Sequence, residues 1–233
     1  MERLSIIGCG GIGSWLIAPL LRFLQAERYS GEIVLIDGDK FTRENAERQD
    51  FVLQHTGRFK AESLWERYSR LFPGLKLQYR NEFVGRHNIA EIIVENDTVF
   101  LCVDNHACRS IVEQHMLTLK KAAVISGGNE LKDGNVQLFV RRNNKNITPT
   151  LSERHPEVLT VEDGDRSRMS CEELAIIPGS GQIIFTNLTA ACLMLALFWK
   201  LRKGKTDVFE AFFDIESIAV RPLWRKEVMG CEA

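Results

Sequence analysis

The chain has 233 residues, 45% of them hydrophobic and 26% charged, with 30 basic against 31 acidic side chains. That length makes one large domain or one and a half, enough to bury a full core. A formal net charge of -1 excludes binding to nucleic acid through bulk positive charge.

Met1-Glu2-Arg3 runs straight into the apolar Leu4-Ser5-Ile6-Ile7, without the charged-then-apolar pattern of a secretory leader. The longest apolar run, Leu188 to Leu201, reads as too short for a bilayer and too broken by Asn187, Thr189 and Lys200. The expectation is a soluble, cytoplasmic protein with no membrane and no nucleic-acid partner. The six cysteines (Cys9, Cys102, Cys108, Cys171, Cys192 and Cys231) lack disulfide-like regularity. There is no Cys-x-x-Cys, and the five histidines are scattered, so no structural zinc is expected.

In chain order, Leu4–Ile7 reads as a strand. The glycine loop Gly8-Cys9-Gly10-Gly11-Ile12-Gly13 follows, then an amphipathic helix over about Ser14 to Glu27 that Pro19 should kink or break. Glu32–Ile36 is a strand continuous enough to be covered on both faces, ending at Asp37 and Asp39. Helical patterns follow over Arg43–Arg48 and from about Arg58 to Leu71, stopped by Pro73-Gly74. Leu75–Tyr79, Thr98–Val103 and Ala122–Ser126 read as strands, with a helix over Ala107–Lys120. This alternation predicts an α/β fold with a doubly wound, mostly parallel, Rossmann-like sheet.

The pattern changes after Gly127-Gly128. Asp133-Gly134 signals a turn, and Val136, Leu138 and Val140 alternate as an antiparallel strand. A polar stretch of roughly forty residues runs from Arg141 to Pro178. Structureless loops beyond about 15 residues are uncommon in compact domains, so this one reads as a lid or crossover over a substrate. A long apolar helix over about Gln182 to Leu201 and two strands, Phe209–Phe213 and Ile218–Leu223, close the chain as antiparallel additions to the sheet. The expected organisation is a single domain: residues 1–140 a nucleotide-binding core, 141–180 a crossover loop, 181–233 the C-terminal helix and strands.

The candidate chemistry lies in the first half. Gly8 permits a tight turn, Gly10 lets backbone approach phosphate, and Gly13 lets helix pack on strand, while Gly11 completes the loop. The free N–H groups and positive end of the following helix favour an anion. An acid at the Asp37 strand tip suits ribose hydroxyls in nicotinamide and ATP binders alike. Arg48 and Lys60 supply cations for a departing pyrophosphate, and Asp104 falls at the C-terminal edge of a strand. A triphosphate site, and adenylation over hydride transfer, is therefore the expectation.

Gly8-Cys-Gly-Gly-Ile-Gly-Ser14, Ile36-Asp-Gly-Asp39, Asn45-Ala-Glu-Arg-Gln49, Gly57-Arg-Phe-Lys60 and Val103-Asp-Asn followed by Arg109 resemble the nucleotide-site motifs of the ThiF/MoeB superfamily. The resemblance is tight over about Leu4 to Ser126. It implies that the glycine loop holds the nucleotide and Asp37, with Asp39 beside it, the ribose. Asn45, Arg48, Gln49 and Lys60 would hold phosphates, and Asp104, next to Asn105, would position Mg²⁺. The implied cofactors are ATP and Mg²⁺.

The implied reaction joins the C-terminal glycine of a small ubiquitin-like or sulfur-carrier β-grasp protein to AMP, in a homodimer, with a ubiquitin-conjugating-like enzyme as a further implied partner. Many members carry an N-terminal arginine that reaches the partner's ATP. Here the first strand opens the sequence, and Arg43 or Arg58 is the expected substitute. Cys171, in Ser170-Cys-Glu-Glu173, sits in a capping-box pattern that lowers a thiol pKa, and reads as a thioester-forming cysteine. Cys102 and Cys192 read as small core residues, Cys108 as helix packing, Cys9 as loop filler and Cys231 as tail. An inactive nucleotide-binding scaffold and an NAD-dependent oxidoreductase are the competing readings.

Overall fold

The computed structural model describes residues 3–159 and 183–226. Five strands, β1 (Leu4–Ile7), β2 (Glu32–Ile36), β3 (Lys76–Arg80), β4 (Thr98–Leu101) and β5 (Ala122–Asn129), pair in parallel in the order β3-β2-β1-β4-β5. The sheet continues antiparallel through β6 (Asp133–Arg142), β8 (Val208–Asp214) and β9 (Ala219–Trp224), while the two-residue β7 (Lys145–Asn146) folds back on β6. All four residues of β1 and of β4 are buried, which explains why each carries three apolar residues in four.

The order places a reversal between β1 and β4: one connection leaves toward β2, the other toward β5. The C-terminal ends of these two strands frame a crevice, where such sheets bind ligands. Helix α1 (Gly11–Ala26) and α2 (Lys60–Leu71) cover one face, joined there by α6 (Ile184–Arg202). Phe198 of α6 wedges between Phe100 of β4 and Phe23 of α1, with ring centroids 5.1 Å and 6.1 Å away. The other face carries α3 (Ile89–Ile92), α4 (His106–Met116) and α5 (Leu151–Arg154).

Three expectations change. Pro19 lies inside α1 without ending it. It is exposed, so its ring lies on the solvent side of α1 and not in the core. Cys192 is exposed rather than a core residue, because the buried face of α6 is set by Ala190, Ala191, Met194, Leu197 and Phe198. Cys102 and Cys108 are buried as expected.

The apolar helix falls close to its expected bounds, but at 19 residues it is long and apolar enough to cross a membrane, against the reading of the run as too short. Its packing against α1, β4 and β5 makes it a core helix here. Part of the polar stretch is ordered as well, since residues 145–159 carry β7, α5 and a 3-10 turn at Pro156–Leu159. The remainder of the expected crossover, with Cys171, lies outside the described residues, as does Cys231.

Candidate nucleotide-binding site

The glycine loop is built by contacts too close for side chains. Gly8 has φ +89° and its N–H donates to Ile36 O at 2.9 Å, joining the end of β1 to the end of β2. A Cβ there would lie 2.7 Å from Cys102 O at the end of β4. At Gly13 a Cβ would lie 1.9 Å from Gly8 O, so only glycine lets the first turn of α1 close over the loop. Gly10, by contrast, faces space: its nearest neighbour would be Gln49 Nε2 at 3.7 Å.

Asp37 holds the loop in place. Its Oδ2 accepts from Cys9 N at 2.6 Å and its Oδ1 from Asp39 N at 2.8 Å. Burial pushes the Asp37 carboxyl up to about 6, against the opposing pull of the Lys60 charge and these two N–H donors. Lys60 itself is only 2% exposed, with its Nζ 3.3 Å from Asp39 Oδ2 and its backbone N–H on Asp39 O at 2.9 Å. A buried ammonium at the first turn of α2 thus sits beside the acid pair.

Residues 42–50 form a strap across α1. Asn45 closes a 3-10 turn at Arg43–Glu47, its Oδ1 accepting from Thr42 N at 3.1 Å. Trp15 Nε1 donates to Arg48 O at 2.9 Å, and Asp50 N donates to Ser14 Oγ at 3.0 Å. These bonds hold Arg48 and Gln49, 5% and 4% exposed, against the start of α1. Gln49 Oε1 is buried without a hydrogen-bond partner. Of the two arginines expected to stand in for a partner's, Arg58 is tied to Glu66 at 2.7 Å, and Arg43 is exposed.

Asp104 follows β4 and is exposed at the crevice rim. Asn105 caps α4, its Oδ1 accepting from Cys108 N at 2.8 Å, so that oxygen is committed to the helix. Arg109 then donates to Val103 O at 2.6 Å, to Gly127 O at 2.8 Å and to Ser126 Oγ. It ties the segment carrying Asp104 to the end of β5.

Sequence reasoning missed Asn187. It lies on α6, fully buried, and its Oδ1 accepts from Asn129 Nδ2 at 3.2 Å. An amide inside an otherwise apolar helix was the available signal. The reasoning also missed the buried Glu210 of β8, which binds Arg154 at 2.9 Å and His155 at 2.5 Å where the chain enters the undescribed segment.

The residues present fit ATP. A helix N-terminus opens on the crevice with room before Gly10, two buried cations flank it, and a carboxylate stands at the tip of β2. Among the described residues no three histidine, cysteine or acidic side chains form a metal cage. Mg²⁺ bound through one or two carboxylates and substrate phosphates needs none, and Asp104 is the carboxylate at that edge.

The geometry defines a nucleotide-binding protein of the doubly wound class. Residues 2–223 match the ThiF family, and the chain belongs to it. It is 26% identical over 212 residues to the molybdopterin-synthase adenylyltransferase of Escherichia coli, covering 90% of this chain and 79% of that one. With the adenylyltransferase and sulfurtransferase MOCS3 of Drosophila willistoni it shares 29% over 135 residues, 58% of this chain and 28% of the relative.

A tRNA threonylcarbamoyladenosine dehydratase of Haemophilus influenzae is 24% identical over 82% of this chain and 72% of its own length. Among solved structures, the microcin C7 biosynthetic enzyme MccB with N-formylated MccA superposes with a TM-score of 0.72 at 17% identity. That match covers 95% of this chain but 64% of MccB, and at such identity it shows the fold alone. The expected enzyme class, adenylyltransferase, is that of the family.

Proposed function

We propose that this protein uses ATP and Mg²⁺ to adenylate the C-terminal glycine of a small ubiquitin-like or sulfur-carrier β-grasp protein. The observation that carries the reading is the gathering of the α1 N-terminus, Asp37, buried Arg48 and Lys60, and Asp104 at one end of the sheet. In the reaction the tail carboxylate attacks the α-phosphorus, the bond to pyrophosphate breaks, and an acyl-adenylate and pyrophosphate result. The positive end of α1, Arg48 and Lys60 oppose the charge that builds on the departing pyrophosphate. Asp37 accepts from the ribose hydroxyls, and Asp104 is the residue that would hold Mg²⁺, which supplies further charge neutralisation when bound.

Transfer to Cys171 completes the proposal: its thiolate attacks the acyl carbon, AMP leaves, and a thioester forms. A cytoplasmic homodimer working with a ubiquitin-conjugating-like enzyme, without nucleic acid or membrane, is the setting the resemblance supports. The scaffold reading draws on the pairing of Arg58 with Glu66, which engages one of the two arginines expected to act across subunits. The oxidoreductase reading gives the buried Arg48 and Lys60 no task.

The test is mass spectrometry of glycine-terminated β-grasp proteins incubated with enzyme, ATP and Mg²⁺. A tail gaining AMP, and a hydroxylamine-sensitive adduct on the enzyme that Cys171→Ala abolishes, supports both steps. AMP addition with no adduct removes the thioester step, and no addition to any candidate removes the adenylation reading.

A further inference from the structure

Asn187 stands against the start of α1. The space a Cβ would take at Gly11, the first residue of that helix, is occupied by the Asn187 amide, with Oδ1 at 2.5 Å, Cγ at 3.0 Å and Nδ2 at 3.1 Å. Its side chain is fully buried, and Nδ2 has no hydrogen-bond partner. The bond from Asn129 Nδ2 to Asn187 Oδ1, at 3.2 Å, turns the amide so that its oxygen is used and its N–H₂ is left over.

A buried amide donor left without an acceptor costs its full desolvation. It is least comfortable beside other bare donors, and the first-turn N–H groups of α1 are such donors, since a helix start has no intrahelical acceptor for them. Donors concentrated at a glycine loop are balanced by an anion placed among them.

We infer that Asn187 Nδ2 is a further donor to a phosphate oxygen of the nucleotide, supplied from α6 on the far side of the undescribed segment. This rests on the adenylation reading and adds to it: one donor to the phosphates comes from α6, the core helix that packs on α1. Docking is provided for by Thr186, whose Oγ1 donates to Leu131 O at 2.9 Å, and by the Asn129 bond. Gly11 is glycine because the amide needs its space.

The experiment compares ATP with adenosine, which lacks phosphates, by calorimetry on wild type, Asn187→Asp and Asn187→Ser. The near-isosteric Asn187→Asp sets a carboxylate against the phosphates and should weaken ATP at least tenfold, while adenosine binds as in wild type. Asn187→Ser keeps a hydroxyl donor with shorter reach and should fall between the two.

Equal weakening of ATP and adenosine would overturn the inference, assigning Asn187 to loop packing, and so would unchanged ATP affinity in both variants. A wild type that binds no ATP sinks the adenylation reading and this inference together. Wild-type binding with unaffected variants sinks the inference alone.

Discussion

Asp37 offers a quantitative test of the site. Its carboxyl is raised from 3.8 to about 6 by burial, and at about 1.36 kcal/mol per unit that is roughly 3 kcal/mol. The sign follows from proton binding. Between about pH 4 and pH 6 the folded protein holds the Asp37 proton that the unfolded chain has released, so this group's contribution to stability falls as pH rises. Above about pH 6 both states are ionised and the contribution is flat.

Asp37→Asn removes the titration but leaves one oxygen for two donors, Cys9 N and Asp39 N. Stranding one of those N–H groups costs about 1–3 kcal/mol. The variant should therefore be less stable than wild type by about that much near pH 4, and by pH 8, with wild type having lost roughly 3 kcal/mol, the gap should vanish or reverse. Urea unfolding across pH 4–8, followed by tryptophan fluorescence, reads the difference as a shift in midpoint at constant slope. Parallel pH profiles for the two proteins would refute the argument, since they would mean that Asp37 titrates like a solvated carboxyl.

Other consequences are open to direct measurement. Gly10→Ala, with only Gln49 Nε2 at 3.7 Å from its new methyl, should fold with a wild-type melting temperature yet bind ATP more weakly, whereas Gly13→Ala, 1.9 Å from Gly8 O, should fail both tests. Burial pushes Glu210 up, but hydrogen bonds from His155, Arg154 and Asn135 outweigh it and hold the carboxyl below its usual range. Glu210→Ala should cost about 3–5 kcal/mol in urea unfolding, because it strands charged partners. His155 is raised by its bond to Glu210, so the stability it contributes is fully present below pH 6.5 and is lost as pH climbs through the higher folded value. Wild type should lose stability across that window, and Glu210→Ala should flatten the profile.

The strand segments along the chain and the glycine loop were legible because each rests on local pattern. Short, mostly apolar runs mark β1, β2 and β4, and the loop needs glycine at positions where backbone meets backbone. Arg48 and Lys60 were legible as cations, but their burial was not. Arg48 is held by the strap that Trp15 and Ser14 pin to α1, and Lys60 by Asp39, contacts that no single segment reveals.

Asn187 was read only as an interruption of an apolar stretch. Its place beside Gly11 depends on α6 packing on α1 from nearly the other end of the chain. Pro19 was read as a kink or a break because propensity treats all turns alike, whereas it sits at an exposed position inside an unbroken α1. The Glu210 cluster joins α5 to β8 across a long sequence separation, and neither segment carries a motif.

ATP–pyrophosphate exchange in the presence of each glycine-terminated β-grasp candidate tests the central claim most directly. The account predicts exchange that requires one such protein, survives Cys171→Ala and is abolished by Asp104→Ala. Exchange that proceeds undiminished in Asp104→Ala, or ATP binding with no exchange for any candidate, would contradict it.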